Sequence, residues 1–332
     1  MRLFLIATSA LFGIALAGPA AAALSVLNSF TGQVDVSTDG CGSTTQSCTL
    51  TANAPVGAVV QAAYLYTSAF SGSPSTCGGT FNGNAVAGLG GYTDLGFNGS
   101  LQAGRIDVTA IVAAVINPGA GGAYNFGYTE SAFSQDGGAL VVVYSKVGLP
   151  TATIAILDGF SASAGDSTFI NFANPLTPLA VGFRSEMRLG IGFSYDGSDP
   201  QNPNLSGQVS QVTVNGNQLT NVAGHCDDAI DVSCTNGNLI TVGDDADPFS
   251  AILPTVAGDH EKYDIKSLLN TGDTQIAIRT LNPSRDDNIF LAVFAVSGVA
   301  QVATTNLVPE PVSIALFGTG LLGLGLLRRR RR

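Results

Sequence analysis

The sequence predicts an all-β fold built as two related, jelly-roll-like β-sandwich halves with short helices. Three observations carry this. Only 11% of the 332 residues are charged, while 41 are Gly and 14 are Pro, a composition suited to many strands joined by turns. Apolar β-branched or aromatic runs recur, at 59–66, 139–144 and 289–296, each bounded by Gly, Asn or Asp. Between the runs lie turn signals: Asn82-Gly83, Asn98-Gly99, Asp136-Gly137, Asp158-Gly159, Asn215-Gly216 and Asn236-Gly237.

Residues 1–23 read as a signal peptide. Arg2 supplies the positive start, Leu3 to Ala17 the apolar stretch, and Ala20 to Ala23 the small-residue cleavage site. Export places the five cysteines, Cys41, Cys48, Cys77, Cys226 and Cys234, in an oxidising compartment, where disulfides are expected. Cys41/Cys48 and Cys226/Cys234 each flank a short polar loop that suits a stapled hairpin. Pairing of Cys77 with Cys41 or Cys48 stays open.

The halves are placed at 24–160 and 161–305 on a repeated pattern. Arg105 to Val112 and Lys262 to Leu269 both set an Asp, Asp107 or Asp264, where a helix N-cap would stand, ahead of apolar residues at helical spacing. Both segments stop at an Asn-x-Gly, a strand-like stretch follows, and an apolar strand ending in Gly148 or Gly298 closes each unit. The order Ala63-Tyr64-Leu65-Tyr66, Ile106-Asp107-Val108-Thr109, Gly137 to Tyr144 and Leu157-Asp158-Gly159-Phe160 resembles that of uncharacterised β domains in large bacterial surface proteins. Asp286 to Phe290 resembles the same group. That resemblance implies an extracellular β module.

Familiar catalytic patterns find little footing. His225 and His260 are the two histidines of the chain, and Gly192 to Gly197 is one residue too long for a nucleophile elbow. Gly318 to Gly323 fits a dinucleotide fingerprint but lies in an apolar span with no strand before it. His225, Cys226 and Cys234 lack the paired spacing of a zinc site. The candidate ligand is calcium, since fourteen acidic residues against four basic ones lie between Asp196 and Asp287. They cluster as Asp196 and Asp199; Asp227, Asp228 and Asp231; Asp244, Asp245 and Asp247; and Asp286 and Asp287, several hard oxygens per cluster. A set of solvated acidic loops is the competing reading. No cofactor is otherwise expected.

The C-terminus is the most specific stretch. Pro309-Glu310-Pro311 precedes an apolar run at 312–327, sixteen residues or about 24 Å as a helix, then Arg328 to Arg332. The arginines snorkel and stay on the cytoplasmic side, so 312–327 is the expected transmembrane helix and the rest lies outside. This order resembles the PEP-CTERM sorting tail of Gram-negative bacteria, here residues 306–332. The resemblance implies an exosortase-type processing enzyme as partner, with Pro309, Glu310 and Pro311 as the signal. It also implies an inner-membrane precursor, a mature protein at the cell surface or outside, and a link to exopolysaccharide and biofilm. Removing Arg2, the tail arginines and Glu310 from 14 basic and 24 acidic residues leaves 8 and 23, a net charge near −15. Such a charge argues against nucleic acid as a partner. The expected function is therefore a non-catalytic surface or matrix protein, structural or adhesive. A carbohydrate-binding module for exopolysaccharide, assisted by calcium, is the alternative.

Overall fold

The computed structural model describes residues 24–42, 46–70, 78–86, 92–98, 101–131, 135, 137–161, 165–192, 210–223, 242, 261–281 and 288–306. These residues fall in one compact unit spanning Ala22–Leu307. In chain order the strands are β1 (Ser25–Gly32), β2 (Val34–Gly42), β3 (Ser47–Ala54), β4 (Val59–Phe70), β5 (Gly79–Phe81), β6 (Asn84–Ala85), β7 (Tyr92–Asn98) and β8 (Leu101–Asp107). After helix α1 (Thr109–Ile116) come β9 (Gly122–Glu130), β10 (Gly137–Ser145), β11 (Ala152–Asp158), β12 (Asp166–Phe172), β13 (Ser185–Gly192), β14 (Ser210–Val214) and β15 (Asn217–Ala223). A short strand β16 (Lys262–Asp264) leads into a 3-10 helix (Lys266–Leu268), then β17 (Gln275–Leu281), β18 (Asn288–Ser297) and β19 (Ala300–Asn306). Among the described residues no helix is long and apolar enough to cross a membrane.

All pairing among these strands is antiparallel, in four sheets. The first inner sheet runs β2-β10-β4-β8-β7 and the first outer sheet β3-β9-β5-β6. The second inner sheet runs β1-β11-β18-β13-β16 and the second outer sheet β15-β14-β17-β12-β19. Three apolar clusters fix how they stack. Leu50, Phe126, Leu140 and Val142 fill the space between the first outer and first inner sheets. Tyr66, Val141, Ile156 and Val293 lie between the two inner sheets. Met187, Leu189, Ile276 and Phe294 lie between the second inner and second outer sheets. Strand side chains alternate faces, so an inner strand covered on both sides must be apolar throughout. That is why β10 reads Ala-Leu-Val-Val-Val without a polar break and is buried from Gly137 to Tyr144.

The two pairs of sheets follow one plan. Inner order β2-β10-β4-β8 matches β11-β18-β13-β16, and outer order β3-β9-β5-β6 matches β12-β17-β14-β15. The register agrees residue by residue: Tyr64 faces both Asp107 and Val141, as Glu186 faces Asp264 and Ala295. The hairpin turns agree too, with Asn82 and Asn215 at φ 48° and 49°, followed by Gly83 and Gly216 at 76° and 78°. Two successive positive φ values define the tight turn that favours Asn-Gly. The two amides Asn82 N–H and Asn215 N–H both bond 2.7 Å to the neighbouring strand, at Gly127 and Ala277. In this plan β11 stands with the second set although it precedes residue 160, and the second inner sheet takes β1 and β11 from before that point.

The two aspartates of the repeated motif act one residue earlier than a cap. Val108 and Ile265 hold the N-cap positions, and their amides bond to Ala63 and Ser185 of the inner sheets. Asp107 accepts the amide of Thr109 at 2.9 Å, and Asp264 that of Lys266 at 3.0 Å. Both form turns that Asp favours. The apolar Val108 and Ile265 are buried, which leaves the carboxylate to the preceding position.

Candidate functional site

Of the residues singled out in the sequence, Cys41 and Cys48 are described, and they form a disulfide joining β2 to β3. The processing signal Pro309, Glu310 and Pro311 lies outside the described residues, as do Cys77, Cys226, Cys234, His225 and His260. So do the calcium candidates Asp196, Asp199, Asp227, Asp228, Asp231, Asp244, Asp245, Asp247, Asp286 and Asp287. The signal peptide and the expected transmembrane helix also lie outside. Among the described residues no cluster of three His, Cys, Asp or Glu is arranged to hold a metal ion.

The described residues instead show two polar groups that composition did not reveal, one on each face of the first inner sheet. Both start from neighbours on β4, Tyr66 and Thr67, whose side chains point to opposite faces.

On the face toward the second inner sheet, Asp158 at the end of β11 is buried and forms an ion pair with Arg105 of β8. Tyr66 donates its hydroxyl to Asp158 at 3.2 Å. The Arg105 guanidinium also lies over the Tyr64 ring, 5.6 Å from its centre, and Asn28 donates to the Tyr64 hydroxyl at 2.5 Å. Burial raises the Asp158 carboxyl above its ordinary range, and Arg105 with the Tyr66 hydroxyl pulls it only part of the way back. Tyr66 is pushed up strongly, first by burial and then by the Asp158 charge. Burial opposes the Arg105 charge, but Asp158 outweighs it and the guanidinium is held above its usual value. The same interface continues with Arg184 paired to Asp35 and Glu186, and Arg188 to Glu186 at 3.0 Å. Burial alone would raise Glu186; its two arginines outweigh that and lower it. This belt joins the two inner sheets by charge pairs, and each ion is matched.

On the opposite face, toward the first outer sheet, the chemistry differs. Gln135 is buried, and its Nε2 lies 3.2 Å from Thr67 Oγ1, 3.0 Å from the Gly78 carbonyl and 2.9 Å from the Tyr128 hydroxyl. Its Oε1 accepts from both the Ser131 amide at 2.9 Å and the Ser131 hydroxyl at 3.0 Å. Thr67 donates its hydroxyl to the Gly137 carbonyl at 2.8 Å. Glu130, next to Ser131, is 7% exposed and neither carboxyl oxygen makes a hydrogen bond. Burial pushes Glu130 up to about 7, offset only in part by the nearby Gly137 backbone. Close approach here needs glycine: a Cβ on Gly138 would lie 2.9 Å from the Tyr128 ring, and one on Gly137 would strike the Cys41 carbonyl. The sequence signal available for this site was the Gly137-Gly138 pair, just after Gln135 and at the head of the apolar run 139–144.

A shallow cleft of about 190 Å³ lies at the far end of the second sandwich, lined by Phe172, Pro175, Leu176, Phe183 and Val299 among others. Exposed Leu179 and Val181 stand on the loop that lines it.

No family model matches the chain, and no curated protein matches it. Among solved structures the chain is similar to a crystal structure of peptide-N(4)-(N-acetyl-β-D-glucosaminyl) asparagine amidase. The TM-score is 0.27 at 10% identity, over 82% of this chain and all of that one. A recombinant peptide N-glycanase F is similar at a TM-score of 0.28 and 12% identity, over 83% of this chain and all of that one. The Sputnik virophage structure gives 0.18 at 10% identity, over 91% of each chain. Likenesses this slight carry no argument about this chain.

Proposed function

We propose that this chain is an exported surface or matrix protein with a non-catalytic, structural or adhesive role, delivered through a processed PEP-CTERM tail. Its body is read as a duplicated β-sandwich. The observation that supports the reading most is where the described chain begins and leaves. Ser25 pairs with Asp158 and Asn306 pairs with Asp166, so β1 starts and β19 ends at the same end of the stacked sheets. The opposite rim of the sheets, at Gly32, Ala152 and Ser297, carries neither of these two strand ends. The Cys41–Cys48 disulfide supports folding in an oxidising compartment.

Cell fractionation of the full chain, with Pro309-Glu310-Pro311 intact or replaced by alanines, tests the reading. The intact chain is expected to shorten and leave the inner membrane, and the altered chain to stay there at full length. Unchanged size and location in both would overturn it. Recovery of the exported body on a polysaccharide matrix would move the role from structural to polymer-binding.

A further inference from the structure

The polar group around Thr67 and Gln135 has the parts of an acyl-transfer site built from the chain's own side chains. We propose that Thr67 and Gln135 become joined by an ester bond formed within the folded chain. This holds whichever route exports the protein.

Four observations support the reaction. The Thr67 hydroxyl hydrogen is directed to the Gly137 carbonyl, so an oxygen lone pair faces the Gln135 carboxamide. Nε2 carries two hydrogens but has three oxygens within 3.2 Å, Oγ1 being the farthest, so Gly78 and Tyr128 can take both hydrogens and leave Oγ1 beside the carboxamide without one. The carbonyl oxygen already receives two donors from Ser131, the arrangement that stabilises negative charge as a tetrahedral centre forms. Glu130, on the strand that carries Tyr128, precedes Ser131; it is buried beside the Gly137 backbone and has no cationic partner among the described residues. It titrates near neutral pH, where an acid–base catalyst works best. Tyr124 and Tyr128 are the other titratable groups on this face of β9 among the described residues, and the Tyr128 hydroxyl is bonded to the Gly78 carbonyl at 2.9 Å.

The step balances without any other reactant. Thr67 Oγ1 attacks Gln135 Cδ, and the hydroxyl proton leaves the Gly137 carbonyl for Glu130, whose carboxyl lies beside the backbone of that same glycine. The new C–O bond remains, the C–Nε2 bond breaks, and Glu130 returns the proton to the leaving nitrogen, which departs as ammonia. At neutral pH the ammonia becomes ammonium in solvent, which draws the exchange forward. The buried site keeps water from the ester.

The second sandwich sharpens the inference. By register, Thr67, Glu130 and Gln135 correspond to Leu189, Thr280 and Ile289. The same frame therefore closes with Leu, Thr and Ile at these places, and the architecture itself does not call for a carboxyl and a carboxamide there.

The test is peptide mapping of the purified, exported full chain after reduction and trypsin digestion. Cleavage after Arg105 and Lys146 puts Thr67 and Gln135 in different peptides, with both Cys41 and Cys48 in the first. The expected result is a linked pair lighter than the two peptides by one ammonia, opened by hydroxylamine and lost in Thr67→Val. In a folded Glu130→Gln chain the linked fraction should fall at least tenfold. Recovery of both peptides free at their sequence masses from the wild-type chain would overturn the bond. Full linkage in Glu130→Gln would overturn the assignment of Glu130.

Discussion

The two sandwiches of this chain share one strand plan and fill it differently. The second lacks the carboxamide, the carboxyl and the disulfide of the first: Leu189, Thr280 and Ile289 occupy the places of Thr67, Glu130 and Gln135, and Leu157 and Thr168 those of Cys41 and Cys48. Since the same backbone accepts both fillings, the polar filling cannot be a requirement of the fold. The comparison also separates two kinds of buried polar chemistry. Among the described residues, Arg105, Asp158, Asp35, Arg184, Glu186 and Arg188 between the inner sheets all have partners of opposite sign, while Glu130 between the first inner and outer sheets has none. The paired belt serves cohesion. The unpaired carboxyl costs stability when ionised and so needs another reason to be present.

The largest effect expected comes from breaking the belt. Arg105→Ala leaves Asp158 buried without its cation and should cost about 3–5 kcal/mol in denaturant unfolding. A loss below about 1 kcal/mol would show the pair to be a solvent-screened surface contact. Next is the Cys41–Cys48 disulfide of the first sandwich. Its seven-residue separation is short, and replacing both Cys41 and Cys48 by Ser should cost about 2 kcal/mol, read as a lower denaturation midpoint. Gly138→Ala probes how tightly the first sandwich is closed; the clash with Tyr128 should cost about 1–2 kcal/mol, and no change in melting would show that the ring can yield. The smallest effect is that of Tyr66→Phe. Removing one hydroxyl from Asp158 while Arg105 stays should cost about 1 kcal/mol, checked in the same unfolding experiment.

Much of the frame was legible in the sequence, and the reasons are local. Asn82-Gly83 and Asn215-Gly216 state their turns because few dipeptides accept two positive φ values in succession. The unbroken apolar runs of β10 and β18 state burial on both faces. The Asp107 and Asp264 motifs marked equivalent places in the two sets, though the carboxylates sit one residue before the cap. Cys41 and Cys48 were legible as a pair from their spacing. The polar sites were not. Thr67 and Gln135 are 68 residues apart and meet only because β4 and the segment before β10 are brought together, next to the β9 that ends in Glu130. Asp158 looked like half of an Asp-Gly turn, and its partner Arg105 comes from a strand 53 residues earlier.

The difference between the sandwiches is tested most directly by the stability of the wild-type chain against that of Glu130→Gln across pH 5 to 8. Glu130 titrates near 4.5 when unfolded and about 7 when folded, so the folded state holds its proton more tightly. Stability from this group is full below pH 4.5 and falls as pH rises through 7, by about 3 kcal/mol. Asp158 is raised by burial as well and drifts in the same direction, but it does so in both chains and cancels in the difference. The expected result is a wild-type chain that weakens relative to Glu130→Gln by about 2.5 kcal/mol between pH 5 and 8. Parallel curves over that range would contradict an unpaired, buried Glu130 in the first sandwich.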